Sequence, residues 1–264
     1  MLTRPAKITY SFLNFIGFLA VVIVNALAVL LPLNGKTTQE LSDKYPNLFV
    51  PAGVTFSVWG IIYVLLLIFI IYQFVVAFRR NTNERGLFEE IGILFFISCI
   101  FNVAWIFAWH YEIMWLSLII MVLFFLSLLI IYIRIGTGKP GIRNSKKILV
   151  NIPFSVYIGW ITIATIANVT AFLVKIGWNR FGISEQIWTI IVIAVGTIIT
   201  LGIVFSRNDI FYCLVVIWAL VGILLKRFAD NSMPDQSVII TTIVAIVLIG
   251  LSIIVQLARK KKIY

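Results

Sequence analysis

Residues 113–133 read IMWLSLIIMVLFFLSLLIIYI, an unbroken run without a charged side chain. A helix of about 20 apolar residues crosses the hydrocarbon of a bilayer, and a helix satisfies its own backbone hydrogen bonds in lipid. Similar runs recur along the chain. We predict eight spans, at residues 8–33, 55–78, 91–109, 113–133, 148–174, 187–205, 210–225 and 237–257, of which the seventh is the shortest.

The composition supports the same interpretation. Apolar and aromatic residues make up 62% of the 264 residues, whereas charged residues make up only 12%. A water-soluble fold of this size has no core large enough to bury that apolar fraction, so the bilayer must act as part of the solvent. We therefore predict an all-α integral membrane protein with about eight transmembrane helices and no soluble domain.

The basic residues orient the predicted spans. With the N-terminus inside, 15 of the 21 Lys and Arg residues fall in inner segments and 6 in outer loops. Short loops rich in Lys and Arg stay cytoplasmic, so we predict a multi-pass protein of the cell membrane with both termini cytoplasmic. Because the net charge of +11 sits beside the lipid head groups, we predict the lipid bilayer as a partner and no nucleic acid.

The first span has features of a signal peptide. Arg4 and Lys7 precede its apolar run, and residues 26–28, Ala-Leu-Ala, imitate a cleavage site. The apolar run continues through residues 29–33 to spanning length, so we predict a retained helix.

Few side chains suited to catalysis or metal binding are present. Every Asp, Glu, Lys and Arg falls in a loop or at a span end, so a proton relay through the spans is not predicted. His110 is the only histidine, which leaves a His-based metal site or a bis-histidine haem without its second ligand, and we interpret it as an interfacial side chain. Cys99 and Cys213 are interpreted as buried apolar residues rather than a disulfide. We predict no metal site and no required cofactor.

Three predicted spans carry aromatic and amide side chains at spacings of three and four residues, which place each set on one helix face. The sets are Trp59 and Tyr63 on the second span, Asn102, Trp105 and Trp109 on the third, and Pro153, Tyr157, Trp160, Ala164 and Asn168 on the fifth. A lipid-facing amide is unfavourable, so Asn102 and Asn168 should face the protein interior. Tryptophans near span ends fit an interfacial belt: Trp109, Trp115, Trp178 and Trp188.

For Trp59, Trp105 and Trp160, a structural role and contact with a ligand are both open. An aromatic cavity with a few amide and phenol groups would suit a flat hydrophobic ligand with polar edges, such as a tetrapyrrole or a sterol.

Three short motifs follow one another on these spans. They are Val50-Pro51 followed by Val58-Trp59-x-x-x-Tyr63, then Asn102-x-x-Trp105, then Tyr157-x-x-Trp160 with Asn168 eight residues further on. Over residues 46–172 they resemble the tryptophan-rich sensory protein family, whose animal member is the mitochondrial translocator protein, the peripheral benzodiazepine receptor. The family has a second proline where this chain has Val50, and a proline where it has Val156.

The resemblance implies a five-helix bundle with a ligand pocket open toward the loop after the first helix, here residues 34–54. Applied to this chain, it implies a ligand-binding bundle at 1–174 and a three-helix membrane extension with a basic cytoplasmic tail at 175–264. The extension has no counterpart in the five-helix family.

The resemblance also implies binding of porphyrin or haem-like compounds and, in some members, of sterols; some bacterial members degrade protoporphyrin in light. Residues carried over to the pocket are Pro51, Trp59, Tyr63, Asn102, Trp105, Tyr157, Trp160 and Asn168. Trp105 and Trp160 are those we most expect to contact a flat ring.

Three functions follow as hypotheses. The first is a membrane receptor or sensor for a hydrophobic, tetrapyrrole-like molecule, in which spans six to eight serve in signalling or in a homodimer. The second is a transporter or permease for a small metabolite, for which residues 51–53 and Pro153 are candidate helix breaks. A membrane enzyme ranks last, since the chain offers no acid/base pair.

Overall fold

The computed structural model describes residues 2–79, 86–229 and 235–261 and contains no β-strand within these ranges. Its long helices are α1 (Arg4–Leu30), α2 (Val58–Phe78), α3 (Leu94–His110), α4 (Met114–Arg134), α5 (Ile152–Lys175), α6 (Glu185–Arg207), α7 (Ile210–Ala229) and α8 (Gln236–Lys261). Of the basic residues used to predict the topology, Arg80, Arg85 and Lys262 lie outside the described residues, as do the side chains of Lys260 and Lys261.

These helices confirm an integral membrane protein with several transmembrane helices. In the described parts of the chain, 7 helices are long and apolar enough to cross a membrane, and the apolar α3 has only 17 residues. Their outward faces carry large apolar side chains, such as Ile16, Ile61 and Leu251, which are 57%, 59% and 53% exposed. Continuous apolar surface of this kind is suited to lipid.

The prediction that the seventh span is the shortest is wrong. Helix α7 has 20 residues and includes Lys226 and Arg227 in its last turn, where cations interact favourably with the helix dipole. Of the eight helices α1 to α8 in the described ranges, α3 is the shortest, with 17 residues. It begins at Leu94 rather than Ile91, because Gly92 adopts a left-handed backbone with φ 46° that interrupts the helix before it.

Local sequence sets several helix ends. Pro5 lies in the first turn of α1, where its missing N–H would have no helical partner. The Ser184 side chain caps α6 by accepting a hydrogen bond from the Ile187 N–H at 3.3 Å. Asn208 ends α6 in the left-handed conformation, and the Asp209 carboxylate accepts from the Tyr212 N–H at 3.1 Å to begin α7.

The candidate break at Pro153 lies inside α5, near its start. A π-helical turn at Lys147–Asn151 precedes it, and Asn144–Lys146 forms a short helix before that turn. A proline lacks the N–H for a regular helical bond, and a π turn is one way in which a helix accommodates that loss. The helical path therefore continues through Pro153 to Lys175.

The described residues group into two compact units. The first is drawn from Met1–Leu41 and Trp59–Ile158, and the second from Ser42–Val58 and Gly159–Tyr264. The division predicted from the sequence, 1–174 and 175–264, stays a prediction.

The core of the first unit is aromatic. Phe69 of α2, Phe95 of α3 and Phe154 of α5 meet edge to face, with ring centroids 5.0–5.8 Å apart. All three side chains are almost completely buried. Helix α3 packs against α1 and α4, so its short length still gives it two helical neighbours.

The second unit is built around α7, which packs against α6 and α8. Gly159 of α5 faces α7 closely: a Cβ at this position would lie 3.2 Å from the Tyr212 carbonyl oxygen. The Tyr212 hydroxyl also forms a hydrogen bond of 3.1 Å with the Thr162 hydroxyl. A small residue at 159 thus permits the close approach of the two backbones.

Candidate ligand-binding site

A chain of buried polar side chains runs through the first unit. The Asn25 amide donates to the Asn102 side-chain oxygen at 2.7 Å, and the Asn102 amide donates to the Tyr157 hydroxyl at 3.4 Å. Asn102 is 0% and Tyr157 1% exposed. The burial predicted for Asn102 is confirmed, and Asn25 on α1 is a partner that the motifs did not indicate.

Aromatic rings surround the end of this chain. Trp59 stacks on Tyr63 with centroids 5.7 Å apart and 22° between the ring planes. Trp59 also meets Tyr157 edge to face at 6.3 Å, and Phe124 of α4 meets Tyr157 at 5.6 Å. We call Asn25, Trp59, Tyr63, Asn102 and Tyr157 the aromatic–amide cluster.

The first unit contains buried donor groups that lack an acceptor. Neither the Tyr63 hydroxyl nor the Trp105 indole N–H has a hydrogen-bond partner among the described residues. A buried donor without a partner has lost its hydrogen bonds to water, and this desolvation costs about 1–3 kcal/mol. Trp105 stacks on Trp109 with centroids 5.9 Å apart, and the Trp109 indole donates to the Thr38 carbonyl at 3.5 Å.

The loop after α1 packs on the end of α3 through His110, which is 0% exposed. The ring Nδ1 lies 3.1 Å from the Leu33 carbonyl oxygen, and Nε2 lies 3.0 Å from the Thr38 hydroxyl. A carbonyl only accepts, so Nδ1 carries the proton and Nε2 accepts from Thr38 in a neutral ring. The interfacial interpretation of His110 missed this role in holding the loop.

Charged residues of the same loop form local contacts. Thr37 and Glu40 make a capping box for the short helix Thr38–Lys44: the Thr37 N–H donates to the Glu40 carboxylate at 2.7 Å, and the Glu40 N–H donates to the Thr37 hydroxyl at 3.2 Å. These hydrogen bonds from Thr37 hold the pKa of Glu40 below its ordinary value of 4.5. Lys36 pairs with Glu112 at 3.1 Å.

The remaining site residues predicted from the sequence lie in the second unit. They are Pro51, Trp160 and Asn168, and all three side chains are buried. Trp160 meets Phe56 edge to face at 5.9 Å. The burial predicted for Asn168 is confirmed, at 2% exposed. That these three residues line a ligand pocket stays a prediction.

Helix α7 holds the segment that follows Pro51. The Ala52 N–H donates to the Gly222 carbonyl at 2.9 Å, and the Trp218 indole donates to the Thr55 carbonyl at 3.0 Å. Both contacts lie within the second unit. Motif spacing gave no sign of them, although a glycine facing a small hydroxyl residue is typical of close packing between membrane helices.

The aromatic–amide cluster is made of ring faces and neutral polar groups. Among the described residues, no three His, Cys, Asp or Glu side chains lie close enough together to hold a metal ion. Cys99 and Cys213 are free and buried, which confirms their interpretation as apolar residues. The first unit offers flat rings, amide groups and buried donors without acceptors.

A comparison with protein families gives one match. The family model described as "TSPO-like protein" matches residues 11–255. The matched range includes α6 and α7 and most of α8. No curated protein and no solved structure matches the chain.

Proposed function

Because the chain belongs to the TSPO-like protein family, we propose that it is a membrane receptor that binds a flat hydrophobic small molecule at the aromatic–amide cluster. The ligand class is a porphyrin, a haem-like compound or a sterol-like compound. The observation that carries the proposal is the Tyr63 hydroxyl, which is buried without an acceptor beside the stacked ring of Trp59.

An acceptor on the ligand would complete this hydrogen bonding. The Tyr63 hydroxyl loses its water when the helices pack, so an oxygen or nitrogen at the edge of a ligand would recover about 0.5–1.5 kcal/mol. The indole N–H of Trp105 offers a second donor of the same kind in the first unit. These donors favour a ligand with polar atoms at its edge over a pure hydrocarbon.

The rings favour a flat ligand body. Trp59, Tyr63 and Tyr157 present faces and edges within 6.3 Å of one another. Aromatic rings gain from offset stacking and edge-to-face contact beyond the burial of their area, and a planar ligand can make the same contacts. The hydrogen bonds of Asn25 and Asn102 keep Tyr157 in place against these rings.

The test is a titration of the purified, detergent-solubilised protein with protoporphyrin, followed through quenching of tryptophan fluorescence and through the porphyrin absorption band. Tyr63→Phe removes the buried hydroxyl but keeps the ring, and we expect it to weaken binding about two- to tenfold. Tyr111→Phe is the matched control, because Tyr111 is 57% exposed.

Cholesterol serves as a second probe, in competition with protoporphyrin. Saturable binding of either probe that weakens in Tyr63→Phe and not in Tyr111→Phe supports the proposal. If neither probe binds saturably, or if both variants bind as tightly as the wild type, the cluster is not the ligand site.

The proposal places the protein in the cell membrane with both termini in the cytoplasm. The excess of Lys and Arg in alternate loops supports this orientation. The transporter hypothesis is tested separately by uptake into proteoliposomes, where a receptor without transport leaves the internal amount of ligand at the protein-free level.

A further inference from the structure

The second unit contains a cavity of about 380 Å³ that none of the sequence motifs indicated. It lies between residues 46–49, the end of α5 and the start of α6. Its volume falls within the range of small-molecule sites, about 300–1,000 Å³. None of the residues of the aromatic–amide cluster lines it.

One wall of the cavity is aromatic. Trp178 and Trp188 meet at 4.8 Å between ring centroids, with 70° between their planes. Phe49 and Leu173 add apolar surface to the lining. Both tryptophans were predicted to belong to an interfacial belt, and the structure adds that both of them line this cavity.

Most polar side chains of the cavity are occupied within the protein. The Glu185 carboxylate accepts from the Leu48 N–H at 3.0 Å, and the Asn47 side-chain oxygen accepts from the Phe49 N–H at 3.1 Å. The Thr189 hydroxyl donates to the Glu185 carbonyl at 2.9 Å. These hydrogen bonds hold the three side chains in place around the cavity.

Arg180 differs from these residues. Its Nε is buried and has no hydrogen-bond partner in the part of the chain that the structure describes. The guanidinium is always charged and carries five donors in a plane, a geometry that fits the paired oxygens of a carboxylate or phosphate. The backbone of Arg180 is left-handed, with φ 58°, a conformation that side chains of this size rarely adopt.

We propose that this cavity binds an amphipathic molecule whose single oxyanion, a carboxylate or a phosphate, accepts hydrogen bonds from Arg180 and whose apolar part packs on Trp178 and Trp188. The anion supplies the acceptor that the buried Nε lacks, in a bidentate, charge-assisted pair. Glu185 limits the ligand to one anionic group, because its carboxylate would repel a second one in the same cavity. The two sources of such a group are a soluble aryl carboxylate and an anionic phospholipid.

The first arm of the test uses indole-3-acetate as the soluble probe. The full chain is placed in phosphatidylcholine nanodiscs and titrated by calorimetry. We expect Arg180→Gln to weaken binding about tenfold or more, because a charge-assisted pair is lost. Arg259→Gln removes the same charge from an exposed position on α8 and should bind like the wild type.

The aromatic wall has its own matched pair of variants. Trp188→Leu should weaken binding of the probe several-fold. Trp115→Leu, at a position that is 59% exposed in the first unit, should leave probe binding unchanged. A thermal unfolding curve shows whether Arg180→Gln folds. If it does not, the two tryptophan variants still test the proposal.

The second arm identifies the source of the oxyanion. Nanodiscs containing phosphatidylglycerol are used, and the lipid retained by the released protein is measured by native mass spectrometry. Retention that falls in Arg180→Gln but not in Arg259→Gln, or displacement of the probe by this lipid, assigns the site to an anionic lipid. Probe binding that the lipid leaves unchanged assigns it to a soluble carboxylate. If neither ligand depends on Arg180 or Trp188, the proposal is overturned.

Discussion

Gly222 of α7 lies directly against Thr55: a Cβ at the glycine would come within 2.9 Å of the Thr55 Cβ. Thr55 belongs to the 3-10 turn Gly53–Ser57 that follows the Pro51 motif, and its side chain is 0% exposed. A helix near the end of the chain is thus in contact with a segment that the sequence assigns to the ligand-binding part. The family match extends through residue 255 and therefore includes both α7 and this segment.

The Gly222→Ala variant is expected to lower stability. Thr55 is buried and β-branched, so its side chain cannot easily turn away, and overpacking of this kind destabilises by about 1–3 kcal/mol. Thermal unfolding in detergent measures the effect. Gly250→Ala on α8 is the control: no atom lies within 4 Å of its added methyl group, and alanine is the better helix former. Equal stability of the two variants would contradict the close contact at Gly222.

The hydrogen bond between Asn25 and Asn102 is expected to couple α1 to α3. At 2.7 Å and fully within the protein, it should contribute about 0.6 kcal/mol, the average measured for such bonds between membrane helices, and at most about 1.7 kcal/mol. A double-mutant cycle with Asn25→Ala and Asn102→Ala isolates this energy. Strictly additive single-variant effects would show that the two amides do not interact.

The short helix Thr38–Lys44 is expected to loosen in acid. Because hydrogen bonds from Thr37 lower the pKa of Glu40 in the folded state, the unfolded loop binds a proton more readily. The stabilisation is therefore complete above the ordinary pKa of 4.5 and is lost as the pH falls through the lower, folded value. Protection from hydrogen exchange over residues 38–44, corrected for the intrinsic exchange rate at each pH, should fall below about pH 4 in the wild type. In Glu40→Gln it should depend less on pH, and identical profiles would exclude this role of the carboxylate.

The proposed orientation is expected to be visible by thiol labelling of intact cells. Gln39→Cys lies on the exposed surface of the loop after α1 and should react with a membrane-impermeant maleimide. Lys139→Cys is equally exposed on the loop after α4 and should react only after permeabilisation. Cys99 and Cys213 are 3% and 0% exposed, so the wild type provides a low background. The reverse pattern would place the termini outside.

Hydropathy was enough to locate the helices. The predicted bounds of most spans lie within a few residues of the observed ones, and the buried amides Asn102 and Asn168 were anticipated because an amide in lipid is unfavourable. The relative lengths of α3 and α7 were predicted wrongly. A run of apolar residues does not show that the left-handed backbone at Gly92 shortens α3. It also leaves out the basic last turn that lengthens α7.

The contacts of the polar residues could not be obtained in this way. The spacing of Asn102 and Trp105 fixes a shared helix face, but it does not identify Asn25 as the partner of that face. Nothing in the motif around His110 indicates that Leu33 and Thr38 bind its ring. Arg180 was counted only as one outer charge, whereas in the structure this residue lines a cavity and its Nε is buried.

The sequence by itself determined the class of the protein, its helical spans and its family motifs, because transfer into lipid depends on local composition and a helix satisfies its backbone within one segment. Only the tertiary structure decided which helices meet and which buried donors find acceptors. Apolar side chains gain as much from lipid as from one another, so hydropathy carries no information about partners. That choice rests on close contacts such as Gly222 with Thr55 and on single hydrogen bonds such as Asn25 with Asn102.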